Sequence, residues 1–145
     1  MNLTMYEMFR RSCDPLLPPL NRKVRSRAMG MVKDSGRLLS ILDVGGRKSP
    51  YTIGLPANIT IIDLPRETDI QRDLNLGVSD RISRELKRRR SNIRDVIIGD
   101  MTNSDLPSVS FDAVIAVEVL EHVLEDEKFV SEVSRVLVPG GKFIM

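Results

Sequence analysis

Asp43, Asp63, Asp100 and Glu118 each stand at the end of a short apolar run, and Gly45 and Gly46 follow the first of them. Carboxylates in such places can accept hydrogen bonds from sugar hydroxyls or an exocyclic amine and can lie beside a cation. Paired glycines let the backbone turn sharply and leave room for a ligand against the main chain. His122 is the only histidine, so an imidazole that takes a proton from a hydroxyl or amine would have to be this one. No Ser/His/Asp or Cys/His arrangement can be argued. The single Cys13 gives neither an internal disulfide nor metal-ligand spacing.

The elements that position these groups follow from periodicity. Leu38 to Val44 is an apolar run bounded by turn residues, which predicts a strand buried on both faces. Ser49-Pro50 reads as a helix start, Ser at the N-cap and Pro at the first position, with Gly54 and Pro56 stopping the helix early. Ile59 to Ile62 is a second strand closing on Asp63. Ser79 to Arg90 is a helix with Val78, Ile82 and Leu86 on one face. Asp95 to Gly99 is a third strand, ending at Asp100, and Phe111 to Val117 a fourth. After a turn over Glu118 to His122, a helix runs from Asp126 to Leu137 with Phe129, Val133, Val136 and Leu137 on one face. Pro139-Gly140-Gly141 ends that helix, and Lys142 to Met145 begins a fifth strand.

This alternation predicts an α/β fold, a Rossmann-like doubly wound and mostly parallel sheet with right-handed crossovers. Residues 37–145 form that domain. Residues 1–36 lack strand alternation and form a helical arm, with Asn21 to Val32 as one helix; the arm lies either over the ligand mouth as a lid or against the sheet edge. Ligands of such sheets sit beyond the carboxyl ends of the strands, where the acidic positions fall. Strand, glycine turn, helix N-terminus, strand and acid together suit an adenosine-containing cofactor. Peptide N–H groups would meet its negative end and the acid its ribose hydroxyls.

Composition bounds the rest. The chain has 145 residues, enough for one domain, with 41% hydrophobic and 29% charged residues and a net charge of +2. No overall field argues for nucleic acid or an anionic membrane. Arg10, Arg11, Arg22, Lys23, Arg25 and Arg27 make the first quarter basic, Arg81 to Arg90 is a second basic cluster, and Glu118 to Glu132 is acidic. These are either solvated helix faces or a docking patch for an acidic partner. No apolar run approaches the roughly 20 residues needed to span a bilayer. The first residues lack the apolar core of a signal peptide, so a cytoplasmic location is expected.

Several motifs in order resemble the class I S-adenosylmethionine-dependent methyltransferases of the type 11 kind. Asp43-Val44-Gly45 resembles the start of that family's glycine motif, Asp63 its ribose-binding acid, and Gly99-Asp100-Met101 its adenine-contacting segment. Leu106-Pro107 with Phe111-Asp112-Ala113-Val114 resembles the approach to strand four. Val119 to Val123 and Arg135 to Gly141 resemble its two downstream signatures. The resemblance covers about Leu38 to Met145. It implies S-adenosyl-L-methionine as cofactor, held by Asp43, Gly45, Gly46, Arg47, Asp63, Leu64, Asp100, Met101, Val117 and Glu118, with a small-molecule methyl acceptor, no nucleic acid and no membrane. His122 is the one weak candidate for catalysis, being more often architectural in that family, and no metal is implied.

Alternatives stay open at single residues. Asp43 contacts cofactor or only bonds the turn; Asp100 meets adenine or caps its own turn; Glu118 and Glu121 touch substrate or start a helix favourably. Two departures from the family stand out. Arg47 and Ser49 occupy places usually held by glycine, and Arg47 or Lys48 either pairs with the cofactor's carboxylate or points to solvent. The family has further strands after the fifth, and this chain stops within it. That leads us to expect a fragment, a truncated reading frame, or self-association through the unfinished sheet edge.

The reading is therefore methyl transfer to O, N or C of a small molecule. One alternative is a truncated, non-catalytic Rossmann-like module. The other is a nicotinamide-dependent oxidoreductase, which needs a Gly-x-Gly-x-x-Gly run that Gly45-Gly46-Arg47-Lys48-Ser49-Pro50 does not supply.

Overall fold

A computed structural model describes residues 3–69, 73 and 76–145. Helix α1 (Met5–Ser12) opens on a capping box: Thr4 Oγ1 accepts from Glu7 N at 3.1 Å, while Thr4 N donates to the Glu7 carboxylate at 2.8 Å. Helix α2 (Pro19–Ser35) begins on proline, whose missing N–H would have had no partner there, and ends on left-handed Gly36. Strand β1 (Ser40–Val44) follows, then a 3-10 turn over Gly46–Lys48 and β2 (Asn58–Asp63). Helix α3 (Asp80–Arg89), β3 (Ile93–Ile98), β4 (Phe111–Ile115), α4 (Asp126–Val136) and β5 (Leu137–Ile144) complete the order.

The five strands are all parallel in the order β3-β2-β1-β4-β5. Because strand side chains alternate faces, β1 divides its residues between two cores. Ile41 joins Ile59, Ile61, Ala113 and Ile115 under α2, which contributes Val24, Ala28 and Val32. Leu42 and Val44 join Ile62, Val114 and Ala116 under α4, which contributes Phe129, Val133 and Val136 at 2% exposure or less. Each such aliphatic or aromatic side chain contributes about 1.5–3 kcal/mol by burial.

The α/β, mostly parallel expectation is met, with three local corrections. First, Ser49-Pro50 starts no α-helix. The chain makes a 3-10 turn over Gly46–Lys48 and further turns, and Tyr51, Ile53, Leu55 and Ala57 are buried in its place. Second, β5 starts at Leu137, directly after α4, and Pro139 to Gly141 form a bulge inside it. The register therefore jumps from Phe111↔Leu137 to Ala113↔Lys142. Third, α2 covers one face of the sheet and shares its core, so it lies neither over the mouth nor at an edge. Helix α1 is tied to the segment between α3 and β3, where Thr4 Oγ1 donates to Arg89 O at 2.6 Å and Glu7 accepts from Ser91 N and Oγ at 3.0 and 2.7 Å.

Candidate functional site

Strand order reverses direction between β1 and β4, and the loops leaving those two strands part there to open a crevice. Gly45 leaves β1 with φ +66°, and its N–H donates to Ile62 O at 2.8 Å. An added Cβ would sit in a left-handed conformation, 3.2 Å from Val119 Cγ2 of the loop after β4. The two loops therefore touch at this glycine. A hollow of about 470 Å³ opens beside it, lined by Arg47 and Lys48 after β1, Asp63 and Leu64 after β2, and Val117, Glu118 and His122 after β4. That size lies in the usual range for small-molecule sites. A narrower cleft of about 100 Å³ adjoins it, sharing Gly45, Asp63 and Leu64 and reaching Asp100 and Met101 at the end of β3.

Two of the expected contacts are not in this lining. Asp43 is fully buried beneath the turn. Its carboxylate accepts from Thr52 Oγ1 at 2.7 Å and Ser49 Oγ at 3.1 Å, and Arg90 donates to the same Thr52 oxygen at 2.9 Å. This is why Ser49 caps no helix: its hydroxyl is turned inward. Burial dominates and lifts the Asp43 pKa to about 6, against the opposing pull of Thr52, Arg90 and Ser49. Gly46 lies over this carboxylate, and a Cβ there would fall 2.3 Å from Asp43 Cγ. Asp43 and Gly46 thus build the turn that Gly45 presents.

Asp63 does face the hollow. Its Oδ1 accepts from Leu64 N at 2.9 Å. Burial raises its pKa, opposed by that hydrogen bond and by the charges of Arg47, Lys48 and Arg66. Arg47 is shifted the other way, lowered by burial and by neighbouring Arg66. Acid and bases therefore share one partly desolvated hollow. Leu64 is kept in place by a return strap: Val78 N donates to Leu64 O at 2.8 Å, and Arg66 N to Val78 O at 3.0 Å. Gly77 in that strap has φ +66°, and a Cβ would meet the Leu64 and Pro65 carbonyl oxygens at 2.9 Å.

Asp100 is exposed at the cleft and spends one oxygen on its own turn, accepting from Thr102 N at 2.8 Å. Met101 is buried and forms part of the cleft wall. Glu118 is exposed with φ +56°, a conformation uncommon for a residue with a side chain and often found at functional sites. His122 ends a 3-10 turn (Leu120–His122) and lines the hollow from the exposed side. Sequence reasoning missed Leu76, Gly77, Val119 and Val123 as lining. Only the glycine before Val78 hinted at a turn there. Among the described residues no group of three His, Cys, Asp or Glu could hold a metal, and no helix is long and apolar enough to cross a membrane.

Known proteins resemble this chain in sequence and in fold. The family model described as "Methyltransferase domain" matches residues 42–145. Sterol 24-C-methyltransferase of Neurospora crassa is 32% identical over 115 residues, 79% of this chain and 28% of that protein. Norajmaline N-methyltransferase of Rauvolfia serpentina is 38% identical over 48 residues, 33% of this chain and 16% of that protein. The chain spans less than a third of the length of the curated relatives it matches. Among solved structures, the Pyrococcus horikoshii PH0226 protein superposes with TM-score 0.56 at 23% identity, covering 98% of this chain and 54% of that one. The Burkholderia thailandensis 1,6-didemethyltoxoflavin-N1-methyltransferase, with bound 1,6-didemethyltoxoflavin and S-adenosylhomocysteine, superposes with TM-score 0.55 at 20% identity, covering 83% and 50%.

Proposed function

This chain belongs to the methyltransferase domain family, and we propose that it binds S-adenosylmethionine in the hollow at its strand ends and transfers the methyl group to a small molecule. The observation that carries this reading is the shared lining: Gly45, Asp63 and Leu64 border both the main hollow and the cleft that reaches Asp100. One continuous groove then has a glycine turn at its centre and an acid at the end of β2.

The residues fit the group. Gly45 leaves the main chain open to close approach, and Asp63 keeps a carboxylate oxygen for the ribose diol beyond the one held by Leu64 N. Asp100 and Met101 border the adenine end. Only a short 3-10 turn, and no α-helix, follows Gly45, so Arg47 and Lys48 take the cofactor's carboxylate through their side chains. When bound, the sulfonium supplies an electrophilic methyl and its own leaving group. The chain's part is to hold the acceptor in line and exclude water, with Leu64, Val117 and Val119 as the apolar walls. Where the acceptor has a proton to lose, Glu118 and His122 are the ionisable groups on that side. The acceptor is a small molecule offering an oxygen, nitrogen or carbon nucleophile.

Titration calorimetry with S-adenosylhomocysteine tests the reading. The chain should bind it, and Asp63→Asn should weaken binding by about 10- to 100-fold, the loss of one or two charge-assisted hydrogen bonds. Retention of a nicotinamide dinucleotide with no affinity for S-adenosylhomocysteine would overturn it.

A further inference from the structure

A buried chain of polar groups runs from the glycine turn into the protein, away from the groove. Asp43 Oδ2 accepts from Thr52 Oγ1 at 2.7 Å, and that hydroxyl oxygen accepts from Arg90 Nη2 at 2.9 Å. Asp43 and Thr52 are fully buried, and Arg90 is 2% exposed. Arg90 follows α3 and lines neither the hollow nor the cleft at the strand ends. Asn92, just before β3, fixes the middle of the chain by donating to Thr52 O at 2.7 Å and Leu55 O at 3.1 Å.

The chain has a direction. A threonine hydroxyl carries one proton. With an Arg90 N–H on its acceptor side, that proton is left for the Asp43 carboxylate, and each bond polarises the next. The charge of Arg90 also favours the ionised form of Asp43, against burial. The turn rests directly on this carboxylate, since a Cβ on Gly46 would fall 2.3 Å from Asp43 Cγ. Gly45 is therefore supported from below by Asp43 and, one step further, by Arg90.

We infer that Arg90 is a positioning residue for the cofactor: through Thr52 it holds the Asp43 carboxylate that supports the Gly45-Gly46 turn, and so sets the affinity of a groove it does not line. The inference rests on cofactor binding at the strand ends, as proposed above. Other ionisable groups face the same chain. Asp63 at the end of β2 opposes ionisation of Asp43. The Tyr51 hydroxyl lies 2.9 Å from Ser49 Oγ, which itself bonds Asp43, and Glu118 acts on Tyr51. Tyr6 and Glu7 on α1 favour the charge of Arg90, and Arg25 on α2 opposes it. All of these stay the same when Arg90 alone is changed, so a difference between variants reports Arg90.

The test compares the wild type with Arg90→Met, which loses charge and donors, and Arg90→Lys, which keeps the charge. Each full chain is titrated with S-adenosylhomocysteine by calorimetry at neutral pH, and its Gly45 and Gly46 amide signals are followed against pH by NMR. In the wild type those signals should titrate at about 6. Arg90→Met should raise the midpoint to about 7 or above and weaken S-adenosylhomocysteine about tenfold, and Arg90→Lys should recover most of both losses. An unmoved midpoint or unchanged affinity in Arg90→Met, or Arg90→Lys behaving like Arg90→Met, would each overturn the inference. Should Arg90→Met fail to fold, Thr52→Val, which removes the linking hydroxyl, replaces it in both measurements. Should that variant fail as well, the wild type decides: its Arg90 guanidinium signal must titrate with the Gly46 amide, and separate midpoints overturn the inference. If no form binds S-adenosylhomocysteine while the midpoints move as stated, the transfer reading fails and Arg90 still positions the turn. Binding with an unmoved midpoint does the reverse.

Discussion

Asp43 offers a measurement in which burial and hydrogen bonding pull in opposite directions. Its carboxyl ionises at about 6 in the folded chain against 3.8 when unfolded, because complete burial outweighs Thr52, Arg90 and Ser49. The gap is about two units, or about 3 kcal/mol. The sign follows from proton binding. Between those two values the folded state still holds a proton that the unfolded state has released, so stability falls as pH rises through the window and levels off above about pH 6. Asp43→Asn keeps the shape and has no proton to lose. Urea unfolding of both proteins at half-unit steps from pH 3.5 to 7.5 isolates the effect, since the other titrating groups cancel in the difference. The wild type should lose about 3 kcal/mol relative to Asp43→Asn across that range. A flat difference, or one in which the wild type gains with rising pH, would refute the reasoning by showing that Arg90 and the two hydroxyls outweigh burial.

Gly46→Ala places a Cβ 2.3 Å from Asp43 Cγ; with that carboxylate locked by two hydroxyls, the substitution should destabilise by about 2–4 kcal/mol in denaturant unfolding and lower S-adenosylhomocysteine affinity with it. Glu132 accepts from Arg135 Nε and from an Arg135 terminal nitrogen, both at 2.7 Å, and from Ser104 N and Oγ, and Arg135 first of all holds its pKa down to about 2. The stability it adds is complete above about pH 4.5 and is lost as pH falls toward 2. Glu132→Gln should therefore cost about 1 kcal/mol at pH 7, after solvent screening, and nothing at pH 2, by the same unfolding assay.

The sheet was readable because its strands announce themselves. Phe111 to Val117 has no competing helical period, and Ser79 followed by Ile82 and Leu86 marks α3 at both its start and its half-buried, core-packed face. Ser49-Pro50 misled because a cap is a local signal and Asp43 is a tertiary one: the buried carboxylate claims the hydroxyl that would have capped. Alternation was present in the same stretch, at Tyr51, Ile53, Leu55 and Ala57, all now buried. The stretch instead turns on itself, and Thr52 and Gly54 are buried along with them. At the site, the ends of β2 and β4 were predictable from strand termini, which is why Asp63, Leu64 and Glu118 line the hollow. Which way Asp43 faces was not, since an acid beside a glycine turn can point outward or inward and only burial decides. Leu76 and Val123 come from loops, whose paths carry no periodicity.

The strand order also bears on how the molecule assembles. Ile41 pairs with Ile59, a short way along the chain, but also with Ala113, several times farther. Closing the longer loop costs about 1 kcal/mol more in chain entropy, so the half made of β1, β2 and β3 is favoured to gather first. A nascent chain that has emerged only through β3 can then fold its aspartates and arginines into place while Gly45 still lacks Val119 across from it. The groove is thus completed only when β4 docks beside β1 and brings the loop after it across from Gly45.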